Sequence, residues 1–308
     1  MEREDEDEIK DMGFFLHLRL LLIALSGGVP CIHAWGKEGH FMVCKIAEPL
    51  LKEDTMRAVQ DLLPEVAGGD LAAVCSWADE VRFRYRWSSP LHYVNTPGVC
   101  NFQYKRDCHN SKGEEGMCVV GAINNYTAQL QTYGDSSNQY TLTESLMFLS
   151  HFMGDEHQPL HAGFEEDEGG NTIRVRWYRR MTNLHHVWDV NIIETAMKDF
   201  YGDDLSLMID AIQRNLTDGW SDEIRDWESC SGKLVTCPNK YASESIRLAC
   251  DYAYKDVRPE STLGDDYFFS RLPIVQKRIA QAGVRLASVL NQILDASVGK
   301  RMARMLQK

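Results

Sequence analysis

The chain has 308 residues, a formal net charge of -12 and nine cysteines. This acidic balance argues against a protein that binds nucleic acid through its general surface charge, so a polyanionic substrate would require a locally positive site. No internal repeat or low-complexity linker divides the chain, and we favour one domain over the two that its length permits.

The N-terminal segment combines an acidic extension with a short apolar run. The run, GFFLHLRLLLIALSGG, is too short to span a bilayer and contains a histidine and an arginine. A signal peptide with an acidic extension over 1–34 fits better, with cleavage at an Ala-x-Ala-like site just before Trp35 and with either Met1 or Met12 as the start. Removal of this segment, which holds seven acidic and three basic residues, changes the formal charge from -12 to -8. We therefore predict a secretory-pathway protein, extracellular or lumenal (ER-derived or vacuolar), without stable membrane association.

Eight cysteines remain after the signal segment and its Cys31 are removed. An even number in a secreted chain predicts disulfides, although the sequence alone leaves about 105 pairings. Buried free thiols are the alternative, and the oxidising route disfavours them. The remaining cysteines are Cys44, Cys75, Cys100, Cys108, Cys118, Cys230, Cys237 and Cys250. Asn125 and Asn215 each begin an Asn-x-Thr sequon and are candidate glycosylation sites.

Helical periodicity dominates the segments after Trp35, because apolar residues recur at three- and four-residue spacing. Thr141 and Glu144 form a capping-box pattern at the start of a helix that should extend beyond Asp155. The predicted helices cover 38–51, 55–63, 71–83, 141 to beyond 155, 187–200, 205–216, 241–254 and 273–294.

One segment departs from the helical pattern. Residues 172–178, TIRVRWY, alternate in polarity after a Gly-Gly-Asn turn and predict a short strand or hairpin. We assign 35–293 to a single domain and interpret 294–308 as a disordered or removable C-terminal tail.

Two histidine–aspartate pairs share one spacing: His151 and Asp155 are four residues apart, as are His185 and Asp189. Four helical residues turn about 400°, so each pair lies on one helix face and can point at one ion. A single pair is weak evidence, because such pairs also form ordinary surface hydrogen bonds. His161 follows a proline that should end the first helix and turn this histidine back toward the site. Two pairs together with this histidine indicate a metal site.

Further candidate ligands lie upstream. His40 is on the first predicted helix, Asp79 is in SWADEVR and His92 is in SPLHYVNTP. Imidazole and carboxylate ligands without thiolate favour zinc. A lone histidine is usually an ordinary hydrogen-bonded residue, and we interpret three others in this way: His109, His157 and His186. The helical rotation turns the last two away from the neighbouring pairs, by about 200° and about 100°.

These motifs, in this order, resemble the zinc-dependent single-strand-preferring nucleases of fungi and, more strongly, the bifunctional nucleases of plants. The matching stretches are WGKEGH, SWADEVR, SPLHYVNTP, NFQYKRDCH, LSHFMGDEHQPLH, GGNTIRVRWY, TNLHHVWD, YASESI and SRLPIVQKRIAQAGVRLA. They cover nearly the whole chain after the predicted cleavage site. The resemblance implies an all-α, predominantly helical fold with a small β-hairpin, stabilised by disulfides and related to the zinc phospholipase C fold, around a cleft with three zinc ions.

The resemblance also implies which residues hold three Zn²⁺ ions. The first ion would be held by Trp35, through its free amine and carbonyl oxygen after cleavage, with His40 and Asp155. The second would be held by Asp79, His92, His151 and a bridging Asp155. The third would be held by His161, His185 and Asp189. Asp79 and Asp155 are thereby the candidate catalytic residues. The implied disulfides are Cys44–Cys75, Cys100–Cys250, Cys108–Cys118 and Cys230–Cys237.

The implied chemistry is phosphodiester hydrolysis. Three zinc ions would bring six positive charges to nine ligands of which three are formally negative, which gives the acidic protein the locally positive site that it needs. Hydroxide formed at the zinc pair is expected to attack phosphorus in line, and the third zinc to stabilise the leaving 3′ oxygen, so that the product keeps a 5′ phosphate. The expected substrates of this monomer are single-stranded RNA and DNA and 3′-nucleotides. Tyr93 is the aromatic residue on which a base is expected to stack. Asn95, at a position where fungal relatives carry an aspartate, is expected to contact the base.

Two alternative functions fit parts of the pattern. A zinc phospholipase C of similar fold also uses an N-terminal tryptophan, but it carries a glutamate where this chain has Asp189, so TNLHHVWD favours the nuclease. A catalytically inactive, secreted zinc-binding glycoprotein is the second alternative, and the presence of all nine ligand positions argues against it.

Overall fold

The computed structural model of the chain describes residues 35–135, 137–232 and 234–306, with side chains to residue 295. The predicted signal peptide and its acidic extension lie outside the described residues. Internal contacts group the described residues into one unit.

Helices make up most of the structure. The α-helices are α1 (Lys37–Ala47), α2 (Glu53–Leu62), α3 (Trp77–Val81), α4 (Tyr104–Asp107), α5 (Val119–Leu130), α6 (Leu142–His157), α7 (Leu184–His186), α8 (Ile192–Tyr201), α9 (Leu205–Thr217), α10 (Ile224–Glu228), α11 (Pro238–Leu248) and α12 (Asp265–Leu306). Short 3₁₀ helices cover Glu48–Leu50, Glu65–Ala67, Leu71–Val74, Arg86–His92 and Pro159–Ala162, and π-helical turns cover Val187–Asn191 and Ala249–Ala253.

A small sheet joins strands β1 (Arg174–Trp177), β2 (Arg180–Asn183) and β3 (Thr262–Leu263) in the order β2-β1-β3. β1 and β2 form an antiparallel hairpin, and β3 lies parallel to β1 on the other side. The predicted strand within 172–178 is therefore confirmed, as is the predominantly helical fold with a small hairpin. The sequence did not predict β3, since a two-residue strand carries no detectable alternation.

Helix α6 forms the centre of the core. Thirteen of its sixteen residues are buried, of which seven are apolar or glycine and six are polar. It packs against α5, α11 and α12, and α12 also supports α1. At Gly283 of α12, an added Cβ would lie 2.6 Å from Cγ2 of Ile46, so only glycine permits this close approach of α1. α1 and α6, which carry His40 and Asp155, are thereby held side by side.

The four disulfides implied by the family resemblance are confirmed: Cys44–Cys75, Cys100–Cys250, Cys108–Cys118 and Cys230–Cys237. Cys44–Cys75 ties α1 to the segment that leads into α3. Cys100–Cys250 closes the longest loop, with a sequence separation of 150 and a correspondingly large constraint on the unfolded chain. No helix among residues 35–135, 137–232 and 234–306 is long and apolar enough to cross a membrane.

Several predicted helix boundaries are wrong. The single helix over 71–83 is instead a 3₁₀ turn and α3, separated at Cys75, whose carbonyl oxygen accepts a hydrogen bond from His151. The helix predicted over 38–51 ends at Ala47, because a 3₁₀ turn that contains Pro49 begins at Glu48. α12 begins at Asp265, eight residues before Pro273, which lies inside the helix.

Other differences concern an overlooked helix and the C-terminus. α5 was not predicted, although its buried Val119, Ile123, Tyr126 and Leu130 follow helical spacing. α12 continues through Leu306, so the backbone beyond the predicted domain end is helical where disorder was expected. Removal of the 294–308 segment stays a prediction.

Candidate metal centre

The carboxylate of Asp155 lies at the centre of three buried histidines. Its Oδ1 is 3.2 Å from Nε2 of His40, and its Oδ2 is 3.0 Å from Nδ1 of His92 and 3.2 Å from Nε2 of His151. All four side chains are at most 1% exposed. The two oxygens of this carboxylate therefore face different histidines, as a carboxylate shared between two ions would.

These side chains form two overlapping groups whose candidate ligand atoms lie within 4.8 Å of one another. The first group comprises His40, His151 and Asp155, and the second comprises Asp79, His92 and His151. His151 belongs to both groups, because its ring stacks on that of His40 with centroids 3.9 Å apart. The family resemblance implied His151 as a ligand of the second ion alone.

A third group consists of His161, His185 and Asp189. Nε2 of His185 lies 3.2 Å from Asp189 Oδ2, and Nε2 of His161 lies 3.8 Å from Asp189 Oδ1. His161 is on the 3₁₀ turn that follows α6, as its proline predicted, and Asp189 is on the π-helical turn after α7. Such single π turns recur at functional sites in proteins.

Backbone carbonyls set the orientation of three of the imidazoles. Nδ1 of His151 donates to Cys75 O at 2.9 Å, Nδ1 of His161 to His92 O at 2.6 Å, and Nδ1 of His185 to Gly169 O at 2.7 Å. A proton on Nδ1 leaves the lone pair of Nε2 directed into the site, which is the tautomer and orientation that metal-binding histidines adopt.

Unsatisfied buried atoms test whether a cation fits these groups. Nε2 of His161 and Nε2 of His185 make no hydrogen bond although both are buried, and buried polar atoms normally have partners. Burial lowers the pKa of His92 to about 4 and that of His185 to about 3, so these imidazoles are neutral near pH 7 and able to ligate. Burial also raises the pKa of Asp189 well above its usual value, and a bound cation would offset that desolvation. The donor set therefore fits a divalent metal.

Trp35 lies fully buried beside these groups. The amide of Gly36 donates to Asp189 O at 2.8 Å, which brings the start of α1 against the third group. An added Cβ at Gly154 would lie 2.8 Å from Nδ1 of His40. The glycine on α6 therefore leaves room for the His40 imidazole, which comes from α1. That the Trp35 amine binds metal stays a prediction.

The three histidines that were interpreted as ordinary residues lie outside the three groups. His157 is buried on the opposite side of α6, where Nδ1 donates to Met153 O and Nε2 accepts from Arg285. His109 and His186 are exposed.

Tyr93 and Asn95 lie at the edge of the site. Tyr93 directly follows His92, and both it and Asn95 are partly exposed. The intervening Val94 donates its amide to His161 O at 2.7 Å, so the segment runs beside two of the three groups.

Sequence reasoning missed Gln158 as a supporting residue. Its Nε2 donates to Oδ1 of Asp189 at 2.5 Å, and its Oε1 accepts from the amide of Leu160. It therefore orients a candidate ligand 31 residues away. The only feature of the sequence that pointed to this role was its position between His157 and Pro159.

Comparison with known proteins agrees with this geometry. A model of the S1/P1 nuclease family matches residues 35–295. The chain belongs to this family. It is therefore a nuclease, and nucleic acid is its substrate class. The match begins at Trp35, the residue predicted to follow signal cleavage.

Individual relatives span most of the chain. It is 58% identical over 283 residues to Endonuclease 4 of Arabidopsis thaliana, which covers 90% of this chain and 94% of the relative. Endonuclease 2 of the same plant is 56% identical over 283 residues, with 90% and 97% covered. Nuclease S1 of Aspergillus oryzae is 33% identical over 277 residues, with 85% and 92% covered. The phospholipase and inactive-glycoprotein alternatives are not favoured, and the predicted relation to the zinc phospholipase C fold holds for this family. Four disulfides in such a nuclease indicate a secretory protein.

Proposed function

We propose that this chain is a zinc-dependent endonuclease that hydrolyses single-stranded RNA and DNA to products with a 5′ phosphate, and that it also removes the phosphate from 3′-nucleotides. The observation that carries the proposal is the position of Asp155, whose two carboxylate oxygens face different histidines at 3.0–3.2 Å. Relatives named endonucleases at 50–58% identity support the cleavage mode.

The proposed zinc ligands are nine residues, the eight of the three groups together with Trp35. They are Trp35, His40 and Asp155 for one ion, Asp79, His92, His151 and Asp155 for a second, and His161, His185 and Asp189 for a third. Bound zinc would supply Lewis acidity, which activates water near neutral pH and offsets the charge of the phosphate. The buried Nε2 atoms that lack hydrogen bonds support this assignment.

The chain's own residues would position the substrate and the ligands. The carbonyls of Cys75, His92 and Gly169 hold imidazole rings in place, so little reorganisation accompanies substrate binding. Tyr93 presents a partly exposed ring beside His92, on which a base can stack without regard to its identity. Asn95 offers an amide that both donates and accepts, which suits the polar edge of a base. A base is available for these contacts when it is unpaired, which favours single strands.

Features outside the site support a secreted, glycosylated protein, which we propose to be a monomer. Asn125 and Asn215 are both exposed, on α5 and α9, as glycan attachment requires. We propose that the protein acts outside the cell or in a lumenal compartment derived from the secretory route.

The test is metal content measured alongside activity. Purified protein beginning at Trp35 should contain about three zinc ions per chain by mass spectrometry. It should release 5′-phosphate products from single-stranded RNA and DNA far faster than from duplexes of the same sequence. Release of phosphocholine from phosphatidylcholine in preference to nucleotides would support the phospholipase instead. Metal-replete protein that leaves single strands and 3′-nucleotides intact would be an inactive binding protein.

A further inference from the structure

The segment between Asp79 and His92 contains an alternation of arginine and aromatic residues that the metal centre does not use. It reads RFRYRW over residues 82–87, with three arginines and no acidic residue, in a chain whose net charge is -12. We define the exposed strip as Phe83, Arg84, Arg86 and Trp87. We propose that the exposed strip is an auxiliary binding site for single-stranded nucleic acid, which holds the substrate beyond the bond that is cleaved; this rests on the proposed function.

The side chains of the strip are available to a ligand. Phe83 is 74% exposed and Trp87 is 52% exposed, and both arginines are exposed. Neither Arg84 nor Arg86 forms an ion pair or a side-chain hydrogen bond within the described residues, whereas the exposed Arg57, Arg174 and Arg247 pair with carboxylates. A single exposed phenylalanine would be unremarkable, but two exposed aromatic rings interleaved with two unpaired guanidinium groups form a distinct chemical surface.

The backbone holds this surface in a fixed conformation. The amides of Arg84 and Tyr85 both donate to Val81 O, and Ser88 donates its amide and hydroxyl to Tyr85 O. Tyr85 points inward, with its hydroxyl donating to Glu144 at 2.8 Å. Tyr85 is therefore anchored while the four residues of the strip on either side of it are presented to solvent, which lowers the entropic cost of binding.

The strip is continuous with the metal centre. Arg82 contacts Asp79 at 3.6 Å, and the 3₁₀ helix that begins at Arg86 ends at His92. The ring of Trp87 lies 5.7 Å from that of Phe148, which is on α6 three residues before His151. Phe83 is four residues from Asp79, so their Cα atoms are at most about 14 Å apart. A single nucleic-acid strand that is bound at the metal centre can thus extend over the strip.

The chemistry of the strip matches a single strand more closely than other ligands. Bases stack on exposed aromatic rings whatever their sequence, and guanidinium groups contact phosphates and can themselves stack on bases. A duplex would offer phosphates but no free base faces, so Phe83 and Trp87 would be unused. The local positive charge also counters the repulsion that the acidic protein exerts on a polyanion.

The experiment compares a long and a short substrate. The variant Phe83→Ala/Arg84→Gln/Arg86→Gln removes three exposed side chains and should fold normally. We expect its KM for a 20-nucleotide oligothymidylate to rise about tenfold or more, since stacking of one base alone accounts for roughly that factor. Its kcat should stay within about twofold, and its kcat/KM for the dinucleotide dTpdT should also change less than about twofold, because that substrate is too short to use the strip.

Salt dependence gives an independent readout. Loss of two phosphate contacts on a single strand should reduce the slope of log KM against log salt concentration by about 1.4. The charge reversal Arg84→Glu/Arg86→Glu should raise the KM for the long substrate further. The matched control Phe269→Ala/Arg214→Gln/Arg225→Gln removes the same residue types from α12, α9 and α10 and should behave as wild type.

Any one of three results for the triple variant would contradict the proposed role of the strip. These are an unchanged KM for the long substrate, an equal loss of kcat/KM on dTpdT, or an equal loss of affinity for a 20-base-pair duplex. Binding of fluorescent oligothymidylate is followed separately by anisotropy, before cleavage proceeds. Wild-type protein that binds the oligomer through the strip but cleaves neither substrate contradicts the proposed function and leaves the strip intact.

Discussion

His151 donates its Nδ1 hydrogen to the carbonyl oxygen of Cys75 across 2.9 Å. The same cysteine is bonded to Cys44 on α1, one helical turn from His40. A disulfide and a hydrogen bond thus connect two ligand-bearing helices, α1 and α6, through a single residue. The break between the 3₁₀ turn Leu71–Val74 and α3 makes the Cys75 carbonyl available to accept this hydrogen bond, which orients the His151 imidazole.

Asp155→Asn should be among the most damaging substitutions of a candidate ligand. The amide keeps the shape but loses the negative charge that would bridge two of the proposed zinc ions, so we expect zinc content to fall by more than one ion per chain. Changes to residues that merely orient ligands reduce metal affinity or activity roughly 10–100-fold, and loss of this ligand should exceed about 100-fold in kcat/KM. Metal analysis and single-strand hydrolysis check this. Retention of three zinc ions would contradict the bridging role.

Gly154→Ala should disturb the site without removing any ligand. Its new Cβ would lie 2.8 Å from Nδ1 and 3.0 Å from Cε1 of the fully buried His40. We expect displacement of that imidazole, weaker binding of one zinc and a loss of activity of about tenfold or more. Gly264→Ala is the matched control, because no atom lies within 4 Å of its Cβ position. Equal zinc affinity in both variants would mean that His40 has room to move.

His157→Ala should lower stability and leave the chemistry intact. The imidazole donates to Met153 O at 2.7 Å and accepts from Arg285 at 2.8 Å, both in the core. Its loss leaves a cavity and an unsatisfied guanidinium N–H, which should cost about 2–4 kcal/mol in the free energy of unfolding. Urea titration measures this, with activity per folded molecule assayed well below the midpoint. The exposed His186→Ala should change neither quantity, and a turnover defect in His157→Ala at full folding would place this residue in the site.

Glu244→Gln should remove an acid-sensitive contribution to stability. Burial raises the pKa of Glu244, but hydrogen bonds and charge from Arg285 and Arg278 lower it to about 2. Because this folded pKa lies below the usual value of about 4.3, the stabilisation is complete above that value and is lost as the pH falls toward 2. We expect the variant to be about 3 kcal/mol less stable than wild type at pH 7.

The difference between the two proteins should shrink as the pH falls from about 4 toward 2. Comparing the pair at each pH separates this carboxylate from the metal ligands, which protonate in both. A difference in unfolding free energy that stays constant down to pH 2 would show that the ion pairs of Glu244 do not depress its pKa.

Cleavage before Trp35 should switch on metal binding. A free α-amine can lose its proton to a neighbouring cation, whereas resonance in a peptide bond occupies the nitrogen lone pair. One additional residue would also move the amine by about 3.8 Å. Protein that begins at Trp35 should bind three zinc ions, and protein that retains Ala34 should bind fewer and turn over far more slowly. Both forms are reconstituted with zinc and compared; equal stoichiometry and equal turnover would refute the switch.

Local periodicity predicted the parts of the site that lie on one element. The spacing of His151 and Asp155 predicted that both lie on one face of α6, and the proline before His161 predicted the turn that follows. The family resemblance predicted all four disulfides, which spacing alone left open among many pairings.

Contacts between distant segments were not predictable from local patterns. The bond from His151 to Cys75 spans 76 residues, and the one from Gln158 to Asp189 spans 31. For the same reason the sequence suggested one helix over 71–83. Apolar spacing does not indicate that the Cys75 carbonyl accepts a hydrogen bond from the distant His151 instead of a bond within a helix. The sharing of His151 between two groups depends on its stacking with His40, which likewise follows from packing.

The close contact between Gly283 and Ile46 has a consequence for when the metal site can assemble during synthesis of the chain. Helix α1, the first ligand-bearing helix to emerge from the ribosome, rests on α12, which carries no proposed ligand and begins more than 200 residues later in the chain. Contacts of such high sequence separation form late, because a long loop must close before they provide any stabilisation. A chain translated as far as Asp189 carries every proposed ligand but lacks the surface of α12 that supports α1 and His40. We therefore expect the nuclease activity to appear only after translation is complete.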